Sequence, residues 1–184
     1  MSQNRPPDLE FAAGEYSRDP ELDEARYLPG DAAAAAGLSM PVLKAWVSRE
    51  PVVIRFGPHD RQPLGKGSAR VFTLRRVLCL AFTAELVRLG LKPSSAGAVA
   101  YAYTDSDRSQ LKLSDDVFLV VFPGDETDDK GLHFNFVPSD SKVSLQEMLA
   151  RDSAPVADPA TSCAVVDCAA IKRRVMKQLA SRGR

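Results

Sequence analysis

The chain has 184 residues, 45% of them hydrophobic and 26% charged, and its acidic and basic groups balance to no net charge. That composition excludes a fibrous or wholly disordered protein, and the length suits one ordinary domain or two small ones. No apolar run approaches the ~20 residues that span a bilayer, residues 1–7 are too polar for a secretory signal, and an odd number of cysteines suits a reducing compartment, so a cytoplasmic protein is expected. In chain order, residues 1–28 are rich in Pro, acids and Arg without sustained periodicity. They read as a mobile arm in which Leu9, Phe11, Tyr16 and Leu22 are available to dock. Pro29-Gly30-Asp31 forms a turn and an N-cap for a helix over the alanine run 32–36. Gly37 ends it, Leu38 follows, and Ser39 caps a second helix starting at Met40-Pro41, where a first-turn proline costs no hydrogen bond. Val42, Leu43, Trp46 and Val47 form its apolar stripe, with Lys44, Ser48 and Arg49 away from it.

After Pro51, the β-rich run 52–56, the loop 57–68 and the return at 70–72 read as a two-stranded hairpin. Thr73 caps a long helix over 74–89, stopped by Gly90 and Pro93. Leu74, Val77, Leu78, Ala81, Phe82, Leu86 and Leu89 fill one half of its circumference, and Leu80 and Val87 lie on the other, so cover is expected on both sides. Residues 94–103 suggest a short helix, although 98–101 also fit a strand. The polar stretch 104–116 reads as a linker. Beyond it come two β-runs, 117–122 and 132–137, around an acidic loop, then a helical pattern at 143–150, a proline-containing loop at 154–159 and a third strand at 163–166. Asp167 caps a closing basic helix over 168–181. The expected fold class is therefore a mainly α N-terminal unit followed by a small α+β domain. Its divisions are an arm at 1–28, a first domain at 29–103, a linker at 104–116 and a second domain at 117–184.

Two short helices joined by Gly37-Leu38-Ser39 and followed by a hairpin with a basic loop are the pattern of a winged helix-turn-helix. Residues 27–100 resemble the DNA-binding domain of the MerR family of bacterial transcriptional regulators. The resemblance rests on Gly37-Leu38-Ser39 at the turn and Val42-Leu43-Lys44-Ala45-Trp46 in the recognition helix. Arg70-Val71-Phe72-Thr73 ends the wing, and Arg88-Leu89-Gly90-Leu91 closes the long helix. Lys44-Ala45 stands where the family usually has Arg-Tyr, and the coiled-coil helix that usually follows is replaced by the linker and β-runs. The resemblance implies sequence-specific binding of double-stranded DNA, transcriptional control by a homodimer and, when bound, a place on the nucleoid. Alternatives are an architectural or phage-type DNA-binding factor not acting at promoters, or a protein-interaction adaptor that kept the fold and lost DNA binding.

Charge segregation agrees with a phosphate-binding module. Residues 31–92 hold ten bases and four acids, a net +6, and residues 161–184 a net +5, whereas 1–30 and 93–160 carry −4 and −7. The candidate DNA-binding residues are Ser39, Met40, Pro41, Lys44, Arg49, Arg55, Arg61, Lys66 and Arg70. Those near the start of the recognition helix are placed to reach base edges, and the wing cations to meet phosphate or the minor groove. Trp46 is expected in the core. Cys79, Cys163 and Cys168 lack metal-ligand spacing and neighbouring histidines. His59 beside Asp60 has no nucleophile arranged around it, and His133 reads as packing. The acids at 125–129 lack an EF-hand's glycine and final glutamate. No enzyme, metal, cofactor or membrane association is expected, and no effector can be named. The closing helix carries Lys172, Arg173, Arg174 and Lys177 around Cys168, Ile171, Val175 and Leu179. By pattern alone this helix suits docking on its own domain, pairing in a dimer, DNA or an acidic partner; the C-terminal domain, with this helix, is expected to cover Leu80 and Val87 and to join two protomers.

Overall fold

A computed structural model describes residues 19–57, 59–61, 69–105, 111–122, 133–141 and 163–182. The expected helix at 143–150, the arm residues Leu9, Phe11 and Tyr16, and the acidic loop lie outside them. Among the described residues the fold is mixed α/β, with six helices and two small antiparallel sheets.

The chain is already structured at the end of the expected arm. Asp19 accepts from the N–H groups of Glu21 and Leu22 and so caps a short helix, α1 (Pro20–Asp23), which leads into strand β1 (Ala25–Tyr27). Leu22 is buried in the core, which accounts for the departure: an apolar anchor and a cap hold the segment down.

Helix α2 (Pro29–Ala36) starts at the proline itself, earlier than the expected Asp31 cap. Four of its alanines are buried, and their small side chains let neighbouring helices approach. Gly37 closes it in the left-handed region at φ 70°, where the Gly37 and Leu38 N–H groups donate to Ala34 and Ala33 carbonyls. Helix α3 (Met40–Ser48) follows after Leu38 and Ser39. Leu43, Trp46 and Val47 are buried, so Trp46 belongs to the core, but Val42 is exposed and does not share the stripe assigned to it.

The expected hairpin is not formed as read. Residues 52–56 are not a strand: the N–H groups of Val53 and Ile54 both donate to the Trp46 carbonyl at 3.0 Å, folding this segment back on the end of α3. Strand β2 (Phe72–Thr73) pairs instead with β1, Ala25 opposite Thr73 and Tyr27 opposite Phe72. Among the described residues the hairpin is represented by one antiparallel bridge between Arg61 and Val71, with hydrogen bonds of 3.0 Å in both directions.

Helix α4 (Leu74–Arg88) is the central element, and Thr73 caps it as expected, its Oγ1 accepting from Arg76 N at 3.1 Å. Helix α5 (Pro93–Thr104) resolves the ambiguity at 98–101 in favour of helix. Beyond residue 111, strands β3 (Val117–Phe122), β4 (His133–Pro138) and β5 (Ala164–Asp167) form an antiparallel sheet in the order β4-β3-β5. Asp167 Oδ1 then accepts from Ala170 N at 2.8 Å and starts helix α6 (Cys168–Arg182).

Helix α4 is covered by α2, α5 and α6 of the same chain, and Leu80 is fully buried. Arg174 meets Glu85 at 3.1 Å and Arg182 approaches Asp31 at 3.5 Å, so α6 is tied to α4 and α2 by charge as well as by packing. The two halves do not have separate cores. Their buried residues form one contiguous cluster, and across the junction Tyr103 meets Phe82 edge to face and stacks on Phe136, at 4.9 Å between ring centroids in each case. The stretch expected as a linker begins inside this structure, with Thr104 and Asp105 buried.

Candidate nucleic-acid interface

The outer face of α3 is set by its own burial pattern. Leu43, Trp46 and Val47 turn inward, which leaves Pro41, Val42, Lys44, Ser48 and Arg49 on the solvent side. Ser39 is exposed at the N-cap position with its hydroxyl uncommitted to the helix, and Met40 is half-buried beside it. Lys44 and Arg49 have no ion-pair partner among the described residues.

Further cations gather near the C-terminal end of this helix. The fold-back of Val53 and Ile54 onto Trp46 brings the exposed Arg55 there. Arg70 is half-buried; its Nη1 donates to Ser48 Oγ at 3.0 Å and Val47 O at 3.3 Å, and its guanidinium lies 4.9 Å from the Phe56 ring centroid. Arg70 thus holds the returning arm of the loop against α3, and the cation offsets the partial negative charge of the helix end. Arg61 is exposed and anchored by its bridge to Val71, next to Arg70. The structure therefore brings Lys44, Arg49, Arg55, Arg61 and Arg70 to one helix and the loop foot beside it. Lys66 lies outside the described residues.

The loop foot rests on a buried charge network. Asp60 accepts from four groups: Gly57 N at 2.8 Å and Arg76 Nε at 2.9 Å on Oδ2, Thr73 N and Thr73 Oγ1 at 3.0 Å each on Oδ1. The other side of Arg76 meets Asp105, at the end of α5, at 2.5 Å. Burial opposes the Arg76 charge, but Asp105 and Asp60 more than offset it and raise its pKa above the ordinary arginine value. Beside it, Arg75 holds Asp23 with contacts of 2.6 and 3.0 Å and donates to the Thr104 carbonyl. One network thus fixes both feet of the loop, the N-terminal segment and the end of α5.

None of these network residues stood out as such in the sequence, where Arg75 and Arg76 counted toward the basic block. A signal was present nonetheless. Two adjacent arginines in the first turn of an apolar helix oppose the positive end of its dipole and call for carboxylates nearby. Pairing also refines the charge argument. Asp31, Asp60 and Glu85 are the block's acids other than Glu50, and all three contact arginines away from the outer face of α3. The exposed cations around α3 therefore keep their net positive field.

His59 lines a small cleft with Asp23, Asp60 and Arg75, so it belongs to the loop foot. Burial pushes the Cys79 thiol up to about 11 and that of Cys168 to about 12, which makes both unreactive at neutral pH. Among the described residues no cluster of His, Cys, Asp and Glu has a metal-binding arrangement, and no helix is long and apolar enough to cross a membrane. The chain matches no protein-family model and no curated protein.

Proposed function

We propose that the chain is a sequence-specific regulator of transcription that binds double-stranded DNA as a homodimer, with α2 and α3 acting as a MerR-like helix-turn-helix. The carrying observation is the outer face of α3, where Lys44 and Arg49 stand exposed with no ion-pair partner among the described residues, flanked by Arg55, Arg61 and Arg70. A helix this short and straight-sided fits the major groove, and its first turn, from Ser39 to Lys44, presents side chains to base edges. Arg55 and Arg61, beside the C-terminal end of the helix, serve phosphates, and the Asp60–Arg76–Asp105 network ties the loop foot to α4 and the end of α5. The wing of this reading is the loop whose feet are joined by the Arg61–Val71 bridge.

The test is fluorescence anisotropy over a salt series, with duplexes selected from a random library by the full chain. Replacing Lys44 with alanine should cost roughly 1–3 kcal/mol and change base preference. Replacing Arg55 or Arg61 should weaken all sequences alike and lower the salt slope by about one per lost phosphate contact. Unchanged affinity in the Lys44, Arg55, Arg61 triple alanine variant would overturn the reading. Sedimentation of the free protein and of its complex with one and two half-sites tests the dimer.

A further inference from the structure

Val42 is the large apolar side chain that α3 leaves in solvent, 37% exposed. It sits in the first turn of the helix, at the edge of the exposed face beside the buried Trp46, and shares its side with Ala45 and Arg49 by helical spacing, with Lys44 at the far edge of that face. Burial and helix propensity account for valine only in part: its outer surface stays in solvent, and its helix propensity is below that of alanine or lysine. What valine does supply is a branched apolar surface held in one preferred rotamer within a helix, so its methyl groups point in a fixed direction at little entropic cost.

We infer that Val42 is a base-reading residue whose isopropyl group packs against the 5-methyl group of a thymine in the major groove; this rests on the proposed DNA-binding role of α3. The thymine methyl is the apolar feature of the major-groove edge, and small apolar side chains are what recognise it. The neighbouring cations favour this occupant. Arg49 on the same side and Lys44 at the far edge of the exposed face suit a polyanion and would be desolvated at cost against an apolar protein surface. The inference divides the labour of α3: Lys44 supplies polar readout and charge, and Val42 discriminates thymine from cytosine and from uracil.

The experiment uses the full chain and the tightest duplex recovered from a random library. Each thymine is replaced in turn by deoxyuridine, which removes the methyl group and leaves the pairing intact. One position should lose about fourfold in affinity, the ratio that burial of a single methylene-sized group at about 0.8 kcal/mol converts to. Val42→Ala should bind the thymine duplex with a similar loss and be indifferent to deoxyuridine at that position, whereas Val42→Thr, which keeps a methyl group, should stay sensitive. The melting temperature of Val42→Ala should match wild type. If the wild type tolerates every deoxyuridine, or if Val42→Ala keeps the penalty, Val42 does not read thymine even though the chain binds DNA. If the full chain recovers no duplex and shows no salt-dependent binding, the DNA-binding reading itself fails, and this inference with it.

Discussion

Arg76 and Asp60 meet inside the protein, Nε to Oδ2 at 2.9 Å, with both side chains 1% exposed. Sixteen positions apart in sequence, they join the first turn of α4 to the loop foot. Breaking such a pair from one side leaves a buried charge short of its partner. Asp60→Ala should therefore destabilise the protein by about 3–5 kcal/mol, and it also strips acceptors from Gly57 N and Thr73 N. Glu24→Ala, at the exposed Glu24–Arg26 pair, should stay within about 0.5 kcal/mol of wild type. Urea unfolding of the two variants checks this, and equal midpoints would contradict it.

The contact of Asp23 with Arg75 makes the N-terminal segment acid-sensitive. Burial raises the Asp23 pKa, but hydrogen bonding and charge from Arg75 outweigh it, so the folded-state value lies below the ordinary 3.8. Between the two values the unfolded chain binds more protons than the folded one. The stabilisation is therefore complete above about pH 4 and is lost as pH falls through the folded-state pKa. The stability difference between wild type and Asp23→Asn should be constant from pH 5 to 7. It should shrink on acidification by at most about 1.4 kcal/mol per pH unit, the limit for one proton. Urea midpoints at stepped pH measure it; a difference that grows toward acid would reverse the sign.

Two glycines should respond oppositely to the same methyl group. A Cβ at Gly97 on α5 would run into the backbone carbonyl of Val53, whereas at Gly30 in α2 it meets nothing within 4 Å. Gly97→Ala must shift the fold-back segment and should cost about 1–3 kcal/mol. Gly30→Ala should be neutral or stabilise by up to about 1 kcal/mol, because it restricts the unfolded chain at a helical position. Thermal melts of the pair decide it, and a stable Gly97→Ala would show that α5 and residue 53 are not in contact.

Thiol chemistry should separate the three cysteines. Cys79 and Cys168 are buried with raised pKa values, and Cys163 is half-exposed before β5. A chromogenic disulfide reagent at neutral pH should label one thiol quickly in the native protein and all three after unfolding. Cys163→Ser should abolish the fast phase. Rapid labelling of more than one thiol in the folded state would contradict the burial of α4 and α6.

The elements legible in advance were those carrying their own local chemistry. Gly37 at a left-handed cap, Pro41 in a first turn, Thr73 and Asp167 at N-caps, and the all-round apolar pattern of 74–89 each specify structure through nearby atoms. The cover over Leu80 could be anticipated for the same reason, since an apolar surface on both sides of a helix requires packing on both. Val42 and residues 52–56 were misread because apolar spacing and β-propensity state what a residue prefers and not which neighbour arrives.

The sequence by itself determined the helices from α2 onward, the caps at Gly37, Thr73 and Asp167, the strands beyond residue 116 and the concentration of positive charge around α3. Tertiary structure alone decided the rest: that β2 pairs with β1 across 45 or more residues, and that Arg75 and Arg76 turn from surface cations into the centre of a buried network. The physical reason is range. Capping and helix periodicity act over one to two turns, so they are written in consecutive residues. Strand pairing, the ring contacts of Phe82, Tyr103 and Phe136, and the neutralisation of a buried arginine depend on partners the chain supplies from far away.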